Sequence, residues 1–161
     1  MTARIAILSD SQKVRDVMHA ALGEAEYHVS GVCTSFYDLS DLAGLQPDLL
    51  ILDWLLGLED HGLQVLQTIK LYKPLVDLPI LVCAAATRMV SEMATRLHAV
   101  DVVLLYKPFT LAELVATVRL VLANPTTLPY GNGDTPAGCV PDQVAEQSAG
   151  SRHGHLHSVT S

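Results

Sequence analysis

The chain has 161 residues, a formal net charge of −7 and a half-hydrophobic composition, which suits one ordinary domain plus a tail and not two comfortable domains. The acidic balance, with no Lys/Arg-rich run, argues against direct nucleic-acid binding, because phosphate contacts need clustered cations. Apolar stretches reach only strand length against the ~20 residues of a spanning helix, and no signal peptide is legible, so the reading is a cytoplasmic protein that meets no membrane.

Five short apolar runs alternate with five longer amphipathic ones. Ile5–Leu8 reads as a strand, and Ser11–Leu22 as a helix with Ser11 as its cap and Gly23 as its stop. Tyr27–Cys33 reads as a strand, and Ser35–Leu45 as a short helix ended by Gln46-Pro47. Leu49–Leu52 is apolar at every position, the mark of a strand covered on both faces. A loop rich in Gly and acids, Gly57–Gly62, leads to the helix Leu63–Tyr72. Ile80–Cys83, Thr87–Leu97, Val102–Leu105 and Leu111–Leu122 then complete the alternation, with Thr110 capping the last helix. Cys33 and Cys83 lie within apolar runs and Cys139 is remote, a usage that fits small hydrophobes in a reducing compartment.

This alternation predicts an α/β fold, a flavodoxin-like doubly wound parallel sheet of five strands in the order 2-1-3-4-5 with five helices. Ligands in such a sheet bind at the carboxyl ends of strands one and three, where the winding direction reverses. The domain is expected over residues 3–124. From Pro125 to Ser161 the composition turns to Pro, Gly, Ser, Thr and His, which predicts a disordered tail.

Asp10, Asp53 and Lys107 stand at the carboxyl ends of strands one, three and five, so the predicted topology brings them together. Two neighbouring carboxylates repel unless a hard cation lies between them, and Mg²⁺ favours such a site. Aspartate is also a nucleophile toward phosphorus, and a facing lysine neutralises the phosphoryl group it takes up. Together the three describe a metal-assisted phosphoacceptor site. Taken singly, each has a blander reading. Asp10 alone is a helix cap, and Lys107 alone a solvated loop lysine.

The stretches Ala6-Ile7-Leu8-Ser9-Asp10, Pro47-Asp48-Leu49-Leu50-Ile51-Leu52-Asp53, Leu78-Pro79-Ile80-Leu81-Val82 and Lys107-Pro108-Phe109-Thr110 resemble the receiver domain of two-component response regulators over residues 3–124. The resemblance implies that Asp53 accepts a phosphoryl group from a histidine kinase or phosphotransfer protein. It makes Asp10, Asp53 and the backbone carbonyl of Leu55 the Mg²⁺ ligands and Lys107 the phosphate-pairing cation. It also implies a cis Lys107-Pro108 bond and a homodimer through the face of helix 4, strand 5 and helix 5.

The chain departs from that pattern at several positions. Ser9 replaces the first of two acids, which weakens the expected Mg²⁺ site. Ala84 stands where the family's hydroxyl binds the phosphoryl oxygen, with Thr87 three residues on as the nearest substitute. Leu104 replaces the family's mobile aromatic, and Tyr106, beside Lys107, should face the opposite way to it. Gly57 occupies a position where proline is common.

Two functions follow. One is a single-domain response regulator phosphorylated on Asp53 with output through protein contacts and no enzymatic activity. The other is a phosphorylation-independent docking or dimerisation module of the same fold. A flavin enzyme fits poorly, since Ser9-Asp10-Ser11-Gln12-Lys13 makes no glycine-rich phosphate loop after strand one. Arg88, Glu92 and Arg96 read as a solvated helix face with ion pairs. His153, His155 and His157 have metal-compatible spacing in the tail, where incidental affinity is the expectation.

Overall fold

The short apolar runs are all strands, and the amphipathic stretches between them are helices. The computed structural model describes residues 1–32, 38–54, 59–98 and 102–124. The elements run β1 (Arg4–Leu8), α1 (Gln12–Glu24), β2 (His28–Val32), α2 (Leu39–Gly44) and β3 (Leu49–Asp53). They continue through α3 (Glu59–Leu71), β4 (Ile80–Ala85), α4 (Arg88–His98), β5 (Val102–Lys107) and α5 (Leu111–Ala123). A short 3-10 turn at Lys73–Leu75, which the periodicity does not announce, follows α3.

All four strand pairings are parallel, in the order β2-β1-β3-β4-β5. β3 lies at the centre and is buried at all five positions, as its unbroken apolar run requires. Strand alternation divides the core into two layers. Leu50, Leu52, Val82 and Val102 pack with Leu42, Leu66, Ile69, Val90 and Leu97, so α2, α3 and α4 cover one face. Ile5, Ile7, Ile51 and Leu81 pack with Met18, Leu22, Leu114, Val118 and Val121, so α1 and α5 cover the other. Each fully buried Leu or Ile contributes roughly 1.5–3 kcal/mol, and these two layers hold the carboxyl edge of the sheet in place.

Local chemistry sets the helix starts. The Ser11 hydroxyl accepts from the Val14 amide at 3.3 Å, and the Asp38 carboxylate from the Ser40 amide at 2.7 Å. Thr110 and Glu113 form a reciprocal capping box, with bonds of 3.2 and 2.6 Å.

Some boundaries differ from the sequence reading. Gly23 lies inside α1, and the helix closes at Ala25, followed by Glu26 in the left-handed region at φ 67°. α2 begins only at Leu39, where Asp38 supplies the cap. α3 starts at Glu59, so Gly62 belongs to its first turn and not to a loop. β4 and β5 each run two residues further than expected, to Ala85 and Lys107.

The chain divides into two units, Met1–Pro129 and Tyr130–Ser161. The expectation of a disordered tail over 125–161 lies outside the described residues, as do Cys33 and Cys139. Among the described residues, no helix is long and apolar enough to cross a membrane.

Candidate functional site

Register brings the site together. Leu8 pairs with Leu52, so Ser9, the next residue, comes level with Asp53 at the end of β3. Asp53 pairs with Cys83, and Cys83 with Leu105, two residues short of Lys107. Alternation therefore puts Ser9, Asp53 and Lys107 on the same side of the sheet, at its carboxyl edge. The Trp54 amide donates to the Cys83 carbonyl at 2.8 Å, which extends the β3–β4 ladder past Asp53 and fixes its backbone.

The Asp53 side chain is 0% exposed, whereas that of Lys107 is 33% exposed. A carboxylate removed from water needs charged or hydrogen-bonding partners, and each oxygen of Asp53 has one. The Lys107 ammonium donates to Oδ1 at 2.5 Å, and the Ser9 hydroxyl donates to Oδ2 at 2.6 Å. Lys107 also donates to the Trp54 carbonyl at 3.3 Å, which steadies the ammonium between carboxylate and solvent. Ser9 is fully buried, and its Oγ accepts from the Ser11 amide at 3.1 Å. The Arg15 guanidinium donates to the Ser9 carbonyl. Ser9 is thus held from both its side chain and its backbone.

Asp10 follows Ser9 in the turn between β1 and α1 and is half-buried. The cap of α1 is Ser11, so the blander reading of Asp10 as the helix cap does not hold. Leu55, whose carbonyl the resemblance assigns to the metal, lies outside the described residues. Of the predicted site residues, Asp53 and Lys107 are in direct contact, and Asp10 lies at the same edge through its neighbour Ser9.

A model of the response regulator receiver domain matches residues 5–119. The response regulator MprA of Mycobacterium sp. (strain KMS) is 34% identical over 137 residues, covering 85% of this chain and 57% of the relative. MprA of Mycobacterium tuberculosis (strain CDC 1551 / Oshkosh) is 34% identical over 122 residues, covering 76% of this chain and 51% of the relative. The chain belongs to the response regulator receiver family. It spans about half the length of these relatives. In fold it is similar to the chemotaxis protein CheY4 of Vibrio cholerae, with a TM-score of 0.64 at 22% identity, over 75% of this chain and 99% of that one.

The receiver's departures from its family now have places. Ala84 is buried and brings no hydroxyl to the edge. Thr87 caps α4, its hydroxyl accepting from the Val90 amide at 3.2 Å. β5 runs without a bulge, so Tyr106 lies opposite Lys107, on the face that carries Leu104. Trp54, Ala84 and Tyr106 all belong to that layer, and Ala84 pairs directly with Tyr106. Lys107-Pro108 is cis, as the resemblance implies. Arg88 and Glu92 pair at 2.7 Å with side chains 92% and 63% exposed, a solvated contact worth a few tenths of a kcal/mol.

Sequence reading missed two features of this receiver. It took Ser9 as a lost carboxylate, whereas Ser9 is the hydrogen-bond donor to Asp53. It also placed Gly62 in a loop and overlooked that a Cβ there would lie 2.2 Å from the Trp54 indole nitrogen. A glycine inside an otherwise helical run was the available signal.

Cys83 flanks Asp53 but is no nucleophile. Burial chiefly, and the Asp53 carboxylate next, push its thiol up to about 12, while Lys107 pulls the other way. The unfolded thiol ionises near 9.0, so between pH 9 and 12 only the unfolded chain sheds this proton. Stability from this group is complete below pH 9 and falls above it, by up to about 1.4 kcal/mol per pH unit. Urea titrations at pH 8 and pH 10 will show a drop in wild type that is smaller in Cys83→Ala; equal drops would refute it.

Proposed function

We propose that this receiver accepts a phosphoryl group on Asp53 from a histidine kinase or phosphotransfer protein and signals through protein contacts. The carrying observation is a fully buried carboxylate at the sheet's carboxyl edge with an ammonium on one oxygen. An Asp53 oxygen attacks phosphorus, and the bond from phosphorus to the donor's imidazole nitrogen breaks with its electron pair returning to that nitrogen. Lys107 pairs with the incoming phosphoryl oxygens through a charge-assisted contact. The role is that of a cytoplasmic signalling module and not of an enzyme.

The family implies Mg²⁺, and the oxygen donors here suit a hard cation. Among the described residues, no cluster of three or more His, Cys, Asp and Glu side chains forms a metal site. Among the described residues the fit therefore rests on the carboxylates of Asp10 and Asp53, which would hold the ion with water, while Leu55 is a ligand only by the family pattern. When bound, Mg²⁺ would offset the negative charge of the phosphoryl oxygens. Residues 3–124 would be the receiver. A homodimer through α4, β5 and α5 would supply one form of output, with no direct contact to nucleic acid.

A second reading, a phosphorylation-independent docking module, draws on the missing hydroxyl at Ala84. One experiment divides the two. Wild type and Asp53→Ala are each given millimolar Mg²⁺ with beryllofluoride, and amide NMR shifts are compared. Shifts at the ends of β1, β3 and β5 are expected in wild type only. Identical spectra with and without the mimic would leave the docking module.

A further inference from the structure

The fate of Ser9 extends the phosphoacceptor reading, on which this inference rests. A second acid at this position would bring another negative charge against Asp53 and would call for a cation between them. Ser9 has the opposite effect. Its hydroxyl is fully buried, its Oγ already accepts from the Ser11 amide, and its proton is thereby directed to Asp53 Oδ2 at 2.6 Å. Lys107 holds Oδ1 at 2.5 Å. Both oxygens of the acceptor carboxylate thus have donors supplied by the chain itself.

We propose that the Ser9 hydroxyl is a positioning group that holds Asp53 in place of a divalent cation and competes with Mg²⁺ for Oδ2. Ser9 then does more than subtract one negative charge from the site. It supplies a neutral donor that must yield, wholly or in part, before the carboxylate turns to a metal. The site would be ordered without Mg²⁺ and would bind it weakly.

Two effects separate on substitution. Ser9→Ala removes the competing hydroxyl and adds no charge, so Mg²⁺ should bind about fivefold more tightly, near the strength of one ordinary net hydrogen bond. Ser9→Asp adds a carboxylate, and the gain should be on the order of tenfold or more. Ser9→Thr keeps the hydroxyl and should match wild type.

The test is an Mg²⁺ titration of the four full-length proteins. Binding is read from fluorescence of Trp54, the single tryptophan, whose carbonyl touches Lys107. Urea midpoints confirm that each variant is folded. Tighter binding in Ser9→Ala with recovery in Ser9→Thr supports the proposal. Ser9→Ala equal to wild type, with Ser9→Asp tighter, would overturn it and leave only the charge effect, with Asp53 still a metal-binding acceptor. No Mg²⁺ response in any of the four, Ser9→Asp included, would defeat both the competition and the metal-assisted reading. A check without substitution is the Ser11 amide resonance of wild type. It should move with the Trp54 midpoint as its acceptor Ser9 adjusts, and a stationary Ser11 amide would count against the proposal.

Discussion

Lys107→Met lowers the unfolding free energy by about 2–3 kcal/mol at neutral pH, and adding Asp53→Asn restores most of the loss. The Asp53 carboxylate is wholly buried, and its Oδ1 has the Lys107 ammonium at 2.5 Å. Removing one partner of a buried pair costs roughly 3–5 kcal/mol, because the other charge stays behind without compensation. The ammonium is 33% exposed, so solvent already screens part of the pair, and the lower figure applies. Asp53→Asn takes the stranded charge away and leaves a side chain that Ser9 can still hydrogen-bond. Urea denaturation of wild type, both single variants and the double variant closes the cycle. Additive losses would mean that the 2.5 Å contact carries no coupling. Lys107→Met should also slow uptake of phosphate from a small donor, since no side-chain ammonium then meets the phosphoryl oxygens.

Gly62→Ala is the second substitution with a large expected effect, and two opposing magnitudes decide its sign. Alanine inside a helix is better than glycine by about 1 kcal/mol. Here, however, an added Cβ would fall 2.2, 2.3 and 2.6 Å from atoms of the Trp54 indole. Overpacking of this kind costs about 1–3 kcal/mol, and turning the indole outward forfeits the burial of one of the largest core side chains, itself ~3 kcal/mol or more. The net expectation is a loss of about 2 kcal/mol with a red-shifted Trp54 emission. Because Trp54 directly follows Asp53 and its carbonyl accepts from Lys107, the variant should also weaken Mg²⁺ binding. Unchanged emission and an unchanged urea midpoint would show that the indole does not rest on Gly62.

Much of this receiver was legible in its sequence because the signals were local. Period-two and period-3.6 patterning is written residue by residue, so ten elements and their order could be read along the chain. The all-apolar Leu49–Leu52 announced the central strand, and Ser11 and Thr110 announced their helices by side chains that can only cap nearby amides. Alternation of strand and helix, with right-handed crossovers, was enough to give the sheet order and the meeting of Asp53 with Lys107.

The start of α3 was not legible, because Gly62 looks like a loop residue until Trp54 is seen to lie against it. Thr87 stood only three residues past Ala84, and only the backbone of α4 shows that its hydroxyl caps that helix by accepting from the Val90 amide. Ser9 illustrates the division best. By itself the sequence determined that a carboxylate was missing beside Asp10. Only the tertiary structure decided that the hydroxyl in its place is level with Asp53 and bonded to it, because that contact joins residues 44 positions apart through strand register. Composition and periodicity carry no information about such a pairing, whereas the β1–β3 ladder sets it to within one hydrogen bond.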